Sequence, residues 1–415
     1  MQKWKSRRKS PSREVRTLVE DILNDVQLKG DSALVRYTLQ FDGVDLESIG
    51  FGLTPEEMEK GVRSVSQDFL NIVKQSAENI RLYHEKVSTT SSMDWEKDGI
   101  TLGQKITSLK RIGIYVPGGR AVYPSSLIMA AVPARVAGVE EIVVVSPPNQ
   151  KGELHPAILA TAGLMKIDEI YRIGGAQAVA ALAYGTETIQ PVDKIVGPGN
   201  QYVAEAKRQV FGICDIDMIA GPSEVVVLAD NTANPDFIAA DLLAQAEHDP
   251  LASSILVTTS SNLARLVQHS VEKQTAELSR RKTIESSLKN WGGILIAKDL
   301  SHAVELVNDL APEHLGIHTK DSWTVLADIR NAGAIFLGGY SPETIGDYWA
   351  GPNHILPTNG TARFSSPLGT EDFLKRSSLI QYSQTALQKA AEPIMAFAKM
   401  EGLDAHANAV QKRIE

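Results

Sequence analysis

The chain reads as an α/β protein with two parallel-sheet units framed by helical segments at both ends. Three observations carry that reading. From Ile112 onward, short β-branched runs alternate with alanine-rich helical stretches, a spacing that builds βαβ units around a parallel sheet covered on both faces. The alternation breaks at Ala220–Glu224, AGPSE, and then resumes, which divides it in two. Before Ile112 and after about 384 the periodicity is helical instead. A length of 415 residues suits two or three domains. The expected divisions are a helical segment with part of the first α/β domain over 1–110, then α/β domains over 111–222 and 223–345. A loop and helical tail follow over 346–415.

The bulk numbers exclude several classes. Hydrophobic residues at 43% and charged residues at 22% describe an ordinary soluble domain protein. A net charge of −8 argues against nucleic acid as the main partner, because phosphate neutralisation needs a basic surface. No apolar run approaches the ~18 residues that span a bilayer, so no membrane partner is expected. The single cysteine, Cys214, rules out an intramolecular disulfide and fits a reducing compartment. The start MQKWKSRRKSPSR is basic but is followed by no apolar h-region. It reads as a solvated tail on a cytoplasmic protein.

In chain order, Val15, Leu18, Ile22 and Val26, then Leu34, Tyr37 and Leu39, mark helical faces punctuated by Gly30 and Gly43. Thr54-Pro55-Glu56-Glu57 opens a further helix with proline at its first position. His84, in the charged segment RLYHEK, is expected at the surface. The first α/β unit then runs through IGIYV, a helix over Ser125–Val136, EEIVVVS, LHPAILATAGL, EIYRIGG, AQAVAALAYG, DKIVG and QYVAEAKRQV. The second runs from SEVVVLAD through the Asp236 helix, SSILVTT, a helix over 261–278, GGILIAKD, SHAVELVNDL, LGIHT, SWTVLADIR and AIFLGG. The two halves share an architecture without a convincing internal repeat. From Gly346 a Gly/Pro/Asn-rich stretch reads as a loop, and a helical tail covers roughly 384–413.

Several constellations carry chemistry. Three glycine-rich turns, Tyr115–Gly119, Ile173–Gln177 and Val196–Asn200, follow strand candidates. Ligands of parallel sheets bind at such edges, against helix N-termini. No GxGxxG fingerprint accompanies them, so a conventional dinucleotide site is disfavoured and a nucleotide site of another design stays open. In the stretch Asp236–Pro250, Asn234 reads as an N-cap and Pro235 as the first helical residue. Ile238, Asp241, Gln245 and His248 share one helical face, and Gln245-x-x-His248 can aim two neutral ligands at one point. Ser223 sits at the junction of the two units. Glu313 and His314, in APEHL, put two titratable groups in one loop, suited to acid/base work. Asp347 and His354 lie in the polar loop, and Glu401 and His406 in the tail. Gln245, His248, Asp347 and His406 thus offer a scattered nitrogen/oxygen set for zinc or another borderline ion. His155, His269, His302 and His318 have no suggestive partner and read as structural or solvent-facing.

Taken together, YVPGG, GGAQAVAALAYGTE, VDKIVGPGN, AEAKRQV, AGPSE, DLLAQAEHDP, APEHL, GDYWAGPNH and EGLDAHANAV closely resemble the L-histidinol dehydrogenase family of histidine biosynthesis. The resemblance runs from about residue 12 to the end and departs in a short N-terminus. It implies two incomplete, doubly wound Rossmann-like domains, the first binding NAD, and a tail exchanged across a homodimer. It further implies oxidation of L-histidinol to L-histidine through the aldehyde, in two NAD-dependent steps, with one Zn²⁺ per subunit. By matching motif, Gln245, His248, Asp347 and His406 resemble the zinc ligands, His406 serving the partner's site. Glu313 and His314 resemble the acid/base pair, and Tyr115, Gln177 and Asn200 the NAD contacts. Ser223, His354 and Glu401 resemble the remaining substrate residues, which Gln245, His248, His314, Asp347 and His406 also adjoin. Three other readings remain open. They are a related zinc/NAD dehydrogenase acting on another small polar alcohol, a zinc hydrolase using Glu313, and a non-catalytic nucleotide-binding module. A thiol route through Cys214 is the weaker chemistry, since Cys214 lies outside every motif and reads as a small packed apolar residue.

Overall fold

The computed structural model describes residues 2–5, 11–118, 122–167 and 169–415. Its centre is a pair of five-stranded parallel sheets. Strands β1 (Ser92–Lys97) and β2 (Ile100–Ser108) come first and form an antiparallel hairpin. The first parallel sheet then collects β3 (Arg111–Tyr115), β4 (Glu141–Val145), β5 (Glu169–Tyr171), β6 (Lys194–Val196) and β7 (Asp215–Ile216), in the order β5-β4-β3-β6-β7. The second collects β8 (Glu224–Ala229), β9 (Ser253–Thr258), β10 (Gly293–Ile296), β11 (His314–His318) and β12 (Ala334–Leu337), in the order β10-β9-β8-β11-β12. In both sheets the first strand is central, the next two lie on one side and the last two on the other. Each sheet therefore has a topological switch point, between β3 and β6 in one and between β8 and β11 in the other.

The residues explain the layers. Every residue of β3 and β9 is buried, as are all but the first of β4 and β8, which requires apolar side chains on both faces. The helices covering the first sheet, Pro124–Val136 and Gly175–Tyr184, are buried on almost every side, and their many alanines suit close packing. Helix Arg13–Lys29 turns Val19, Ile22, Leu23 and Val26 into the same core. Helix Gln67–Val87 packs against Pro124–Val136. It also reaches the later loop, where Ser76 Oγ donates to the Tyr348 carbonyl (2.6 Å) and Asn79 Nδ2 to that of Trp349 (2.8 Å).

Several expectations change. His84 is not at the surface; it is 2% exposed, because the buried stripe of its helix, Val73, Ser76, Ala77 and Ile80, continues to it. Burial lowers its pKa. The N-terminal stretch is not all solvated tail. Trp4 donates from Nε1 to the Trp291 carbonyl (2.8 Å) and lies close against Gly293, at the start of β10; residues 1 and 6–10 lie outside the described residues. Strand β13 (Leu374–Tyr382) pairs antiparallel with β2 in a three-stranded sheet. No period-2 apolar pattern announces it, because most of its residues are exposed. His318, left between structural and solvent-facing, is buried. Cys214 packs in the core as expected, and burial pushes its thiol up to about 12. The two tail helices, Gln384–Met400 and Asp404–Ile414, pack on each other. They bury only Ala386, Ala391 and Ala407 and leave Phe397 and Met400 exposed. No helix among the described residues is long and apolar enough to cross a membrane.

At the amino ends of β3, β4 and β5 the buried Arg111 guanidinium donates to Glu141 (3.0 Å) and to both carboxylate oxygens of Glu169 (2.7 and 2.6 Å). Arg111→Met keeps the stem but removes these charge-assisted bonds, and should cost about 2 kcal/mol. Calorimetry should show the thermal midpoint falling by several degrees; an unchanged midpoint would assign the arginine no stabilising role.

Candidate functional site

Helix Pro235–Ala246 begins as its sequence predicts: Asn234 Oδ1 accepts from the Asp236 amide (2.9 Å), with proline next. Its end differs from the expectation. The regular helix stops at Ala246, and His248 sits in the following turn, its amide donating to the Gln245 carbonyl (3.2 Å). His248 Nδ1 lies 2.9 Å from the Ala244 carbonyl. That acceptor assigns the proton to Nδ1 and leaves Nε2 with a free lone pair. Gln245 is completely buried, and neither of its amide atoms has a partner. Such a group costs stability unless a ligand satisfies it. Asp241, on the same face, is engaged elsewhere: its Oδ2 lies 3.2 Å from Nε2 of His318.

Glu313 and His314 stand at the amino end of β11, where the second sheet pins them. Helix Leu300–Leu310 ends on Ala311 in the left-handed region (φ 46°), and the Glu313 carbonyl accepts from the Ala334 amide (2.8 Å). The backbone of Glu224, the first residue of β8, then orients both side chains. Its N–H donates to Glu313 Oε2 (2.9 Å), and its carbonyl lies 3.3 Å from His314 Nδ1. Both side chains are buried. Burial raises the Glu313 carboxyl well above the usual range and pushes the His314 imidazole down to about 3. At neutral pH His314 is therefore a neutral base, with Nε2 buried and unpartnered.

Asp347 belongs to the short helix Glu343–Tyr348 rather than to a loop. His354 Nδ1 lies 3.1 Å from the Asp347 carbonyl, and its Nε2 lies 3.3 Å from Oγ of Ser126. Ser126 is in the first turn of helix Pro124–Val136, so this histidine joins the two α/β units. Burial pushes His354 down to about 4 and Asp347 up to about 6, the latter against the opposing pull of His248. A cavity of about 400 Å³ is lined by His314, Phe336, Ile345, Asp347, Asn353 and His354, among others. One buried acid escaped the sequence reading. Glu343 Oε1 lies 3.7 Å from His314 Nδ1, and burial raises its carboxyl well above the usual range. Its position four residues before Asp347, one helical turn away, is the signal that could have found it.

The glycine turns meet at the carboxyl edge of the first sheet. Tyr115 ends β3, and its hydroxyl accepts from the Gly175 amide (3.1 Å). Gln177 follows on the same helix, 1% exposed, with Oε1 unpartnered. Asn200 caps helix Gln201–Val210 by accepting from the amides of Tyr202 (2.9 Å) and Val203 (3.1 Å). Gly119 lies outside the described residues. Glu401 and His406 are exposed on the tail hairpin, apart from this assembly in their own chain. Ser223 directly precedes β8, and its hydroxyl counters part of the rise of the Glu313 carboxyl.

Among the described residues no three His, Cys, Asp or Glu side chains converge as a metal-holding group. A glutamine falls outside that set, however. The orphaned Gln245 amide, the free His248 Nε2 and the Asp347 carboxyl are nitrogen and oxygen donors of the kind Zn²⁺ accepts.

Comparison with known proteins agrees along the whole chain. The family model for histidinol dehydrogenase matches residues 5–414. The histidinol dehydrogenase of Bacillus subtilis (strain 168) is 55% identical over 400 residues, covering 96% of this chain and 93% of that relative. That of Geobacillus kaustophilus (strain HTA426) is 54% identical, covering 98% and 95%. The crystal structure of histidinol dehydrogenase from Elizabethkingia anophelis superposes with a TM-score of 0.94 at 36% identity, covering 100% of this chain and 96% of that one.

The raised Asp347 carboxyl has a pH consequence. Its pKa in the folded chain, about 6, exceeds the ordinary 3.8, so the folded state binds the proton more tightly. Its contribution to stability is complete at low pH and is lost as pH rises through about 6. In chelator-treated protein, Asp347→Asn should raise stability near neutral pH and flatten the decline between about pH 4 and 6. Urea midpoints across that range test this; an unchanged slope would sink it.

Proposed function

Because the chain belongs to the histidinol dehydrogenase family and is an oxidoreductase, we propose that it oxidises L-histidinol to L-histidine through L-histidinal. Two molecules of NAD are consumed at a zinc site shared across a homodimer. One observation carries this reading: the neutral His314 and the buried Glu313 are held side by side by the Glu224 peptide, with His314, Asp347 and His354 lining the adjoining cavity. One Zn²⁺ would be held by Gln245, His248 and Asp347, the missing donor being His406 of a second copy, which the exposed tail hairpin can present. When bound, Zn²⁺ supplies a Lewis-acidic anchor that orients the substrate. Tyr115, Gln177 and Asn200 would hold NAD, which supplies the hydride acceptor.

The chain's own residues then divide the proton work. His314 takes the hydroxyl proton at Nε2 as the alcohol carbon loses hydride; its Nδ1–H, aimed at the Glu224 carbonyl, fixes the tautomer that leaves Nε2 free. Glu313 draws a proton from water attacking the aldehyde, and the Glu224 N–H supports the carboxylate form that this requires. Loss of a second hydride from the hydrate yields the carboxylate. Ser223, His354 and Glu401, the last from the second copy, complete the substrate contacts. Cys214, buried and with its thiol pushed up to about 12, supplies no thiolate for a thiohemiacetal at neutral pH. Its reduced state suits the cytoplasm.

The reading is tested by the yield of NADH per L-histidinol, expected at roughly two, abolished by chelation and restored by Zn²⁺. A yield near one would remove the aldehyde step and the role of Glu313. Glu313→Gln should slow oxidation of the aldehyde by at least about 100-fold and slow the alcohol half less; equal losses would count against water activation. Mixing inactive His248→Ala and His406→Ala subunits should partly restore activity, because a mixed dimer holds one site with both defects and one with neither. No recovery despite proven subunit exchange would refute the shared site.

A further inference from the structure

Beneath the glycine turn that follows β6 lies a buried ion pair used by none of the chemistry above. Lys207, on helix Gln201–Val210, and Asp217, just past β7, have side chains only 2% and 1% exposed and bond directly to each other. The third member is the peptide of Gly197. Lys207 Nζ donates to the Gly197 carbonyl (3.0 Å), and Asp217 Oδ2 accepts from the Gly197 amide (2.8 Å). Asp217 is itself anchored, since its Oδ1 also accepts from the Met218 amide (2.6 Å). Both polar groups of one glycine are thus held by opposite full charges that water does not reach.

The place of this glycine gives the clamp its meaning. Gly197 has φ 107°, and a Cβ there would stand 2.3 Å from the carbonyl oxygen of Tyr115. The turn is therefore seated directly on the end of β3, at the switch point between β3 and β6, where open α/β sheets bind ligands. Three residues on, Asn200 caps the helix that carries Lys207. A βα turn needs only glycine to adopt this backbone. Two buried charges are a costly addition, seldom repaid in stability, and they fix the direction of a peptide instead. We propose that Lys207 and Asp217 form a positioning pair for the dinucleotide, holding the Gly197–Asn200 turn in its binding geometry before the ligand arrives. This rests on the assignment of NAD to the glycine turns.

The test uses full-length protein and NADH as the probe. Lys207→Met/Asp217→Asn removes both charges, so neither is left buried alone. NADH titrated by fluorescence should bind at least about tenfold more weakly to this variant, and KM for NAD⁺ should rise in parallel. KM for L-histidinol, zinc content and kcat should change little. A folded variant with NADH affinity within about twofold of the parent overturns the positioning role while leaving the NAD assignment standing. Failure of the unmodified protein to bind NADH removes that assignment and the inference with it. A measurement on the unmodified chain covers a variant that does not fold. Hydrogen exchange of the peptide spanning 194–203 should already be slow without NADH, whereas fast exchange that slows only on NADH addition overturns a turn set in advance.

Discussion

A single peptide in the second sheet holds Glu313 and His314 together. The N–H of Glu224 reaches Glu313 and its carbonyl faces His314, so one rigid strand residue orients both side chains and sets the tautomer of the imidazole. This works because β8 is central, flanked by β9 and β11 in parallel register. Its backbone cannot shift without disturbing ladders on both sides. The side chains it orients are buried, and burial moves their protonation in opposite senses. The acid is pushed towards its neutral form and the imidazole towards its free base.

The two sheets share a strand order, but their glycine turns and their buried acid and imidazole lie at opposite edges. The glycine turns use the carboxyl ends of β3, β5 and β6, as expected of an open parallel sheet. Glu224 and His314 open β8 and β11, so Glu313 and His314 stand at the amino ends of the second sheet. His354 and Ser126 connect the units, and Ser76 and Asn79 fasten the loop after Asp347 to the N-terminal helices. Bonds between residues hundreds of positions apart thus fix the segment around the cavity, whose own lining falls between residues 314 and 356. The exposed tail hairpin, with Glu401 and His406, stays apart from it within this chain.

Much of the fold was legible because its signals are local. Alternating β-branched and alanine-rich runs marked both sheets, and Asn234-Pro235 marked the start of its helix to the residue. The site was legible only in part. Gln245 and His248 stood out through their spacing, although His248 lies beyond the regular helix and gains its orientation from a carbonyl bond. Glu343 and Ser126 did not stand out, because what makes them notable is proximity to histidines distant in sequence. His84 misled for a related reason. Its charged neighbours point to solvent while it lies on the stripe facing the core, and six residues show too little of a helix to reveal which face is which. Strand β13 was missed because an exposed strand on a small sheet carries no apolar alternation.

The sequence by itself determined the α/β class, the division into two units, the turn chemistry at the glycine edges and the family. These follow from periodicity, capping and long contiguous motifs, all read within a few residues of one another. Tertiary structure alone decided which side chains meet at each sheet edge, which carboxyl groups are lifted by burial, and which peptides are clamped by buried charge. Those properties arise from exclusion of water and from contacts between distant segments, and neither is encoded in local spacing.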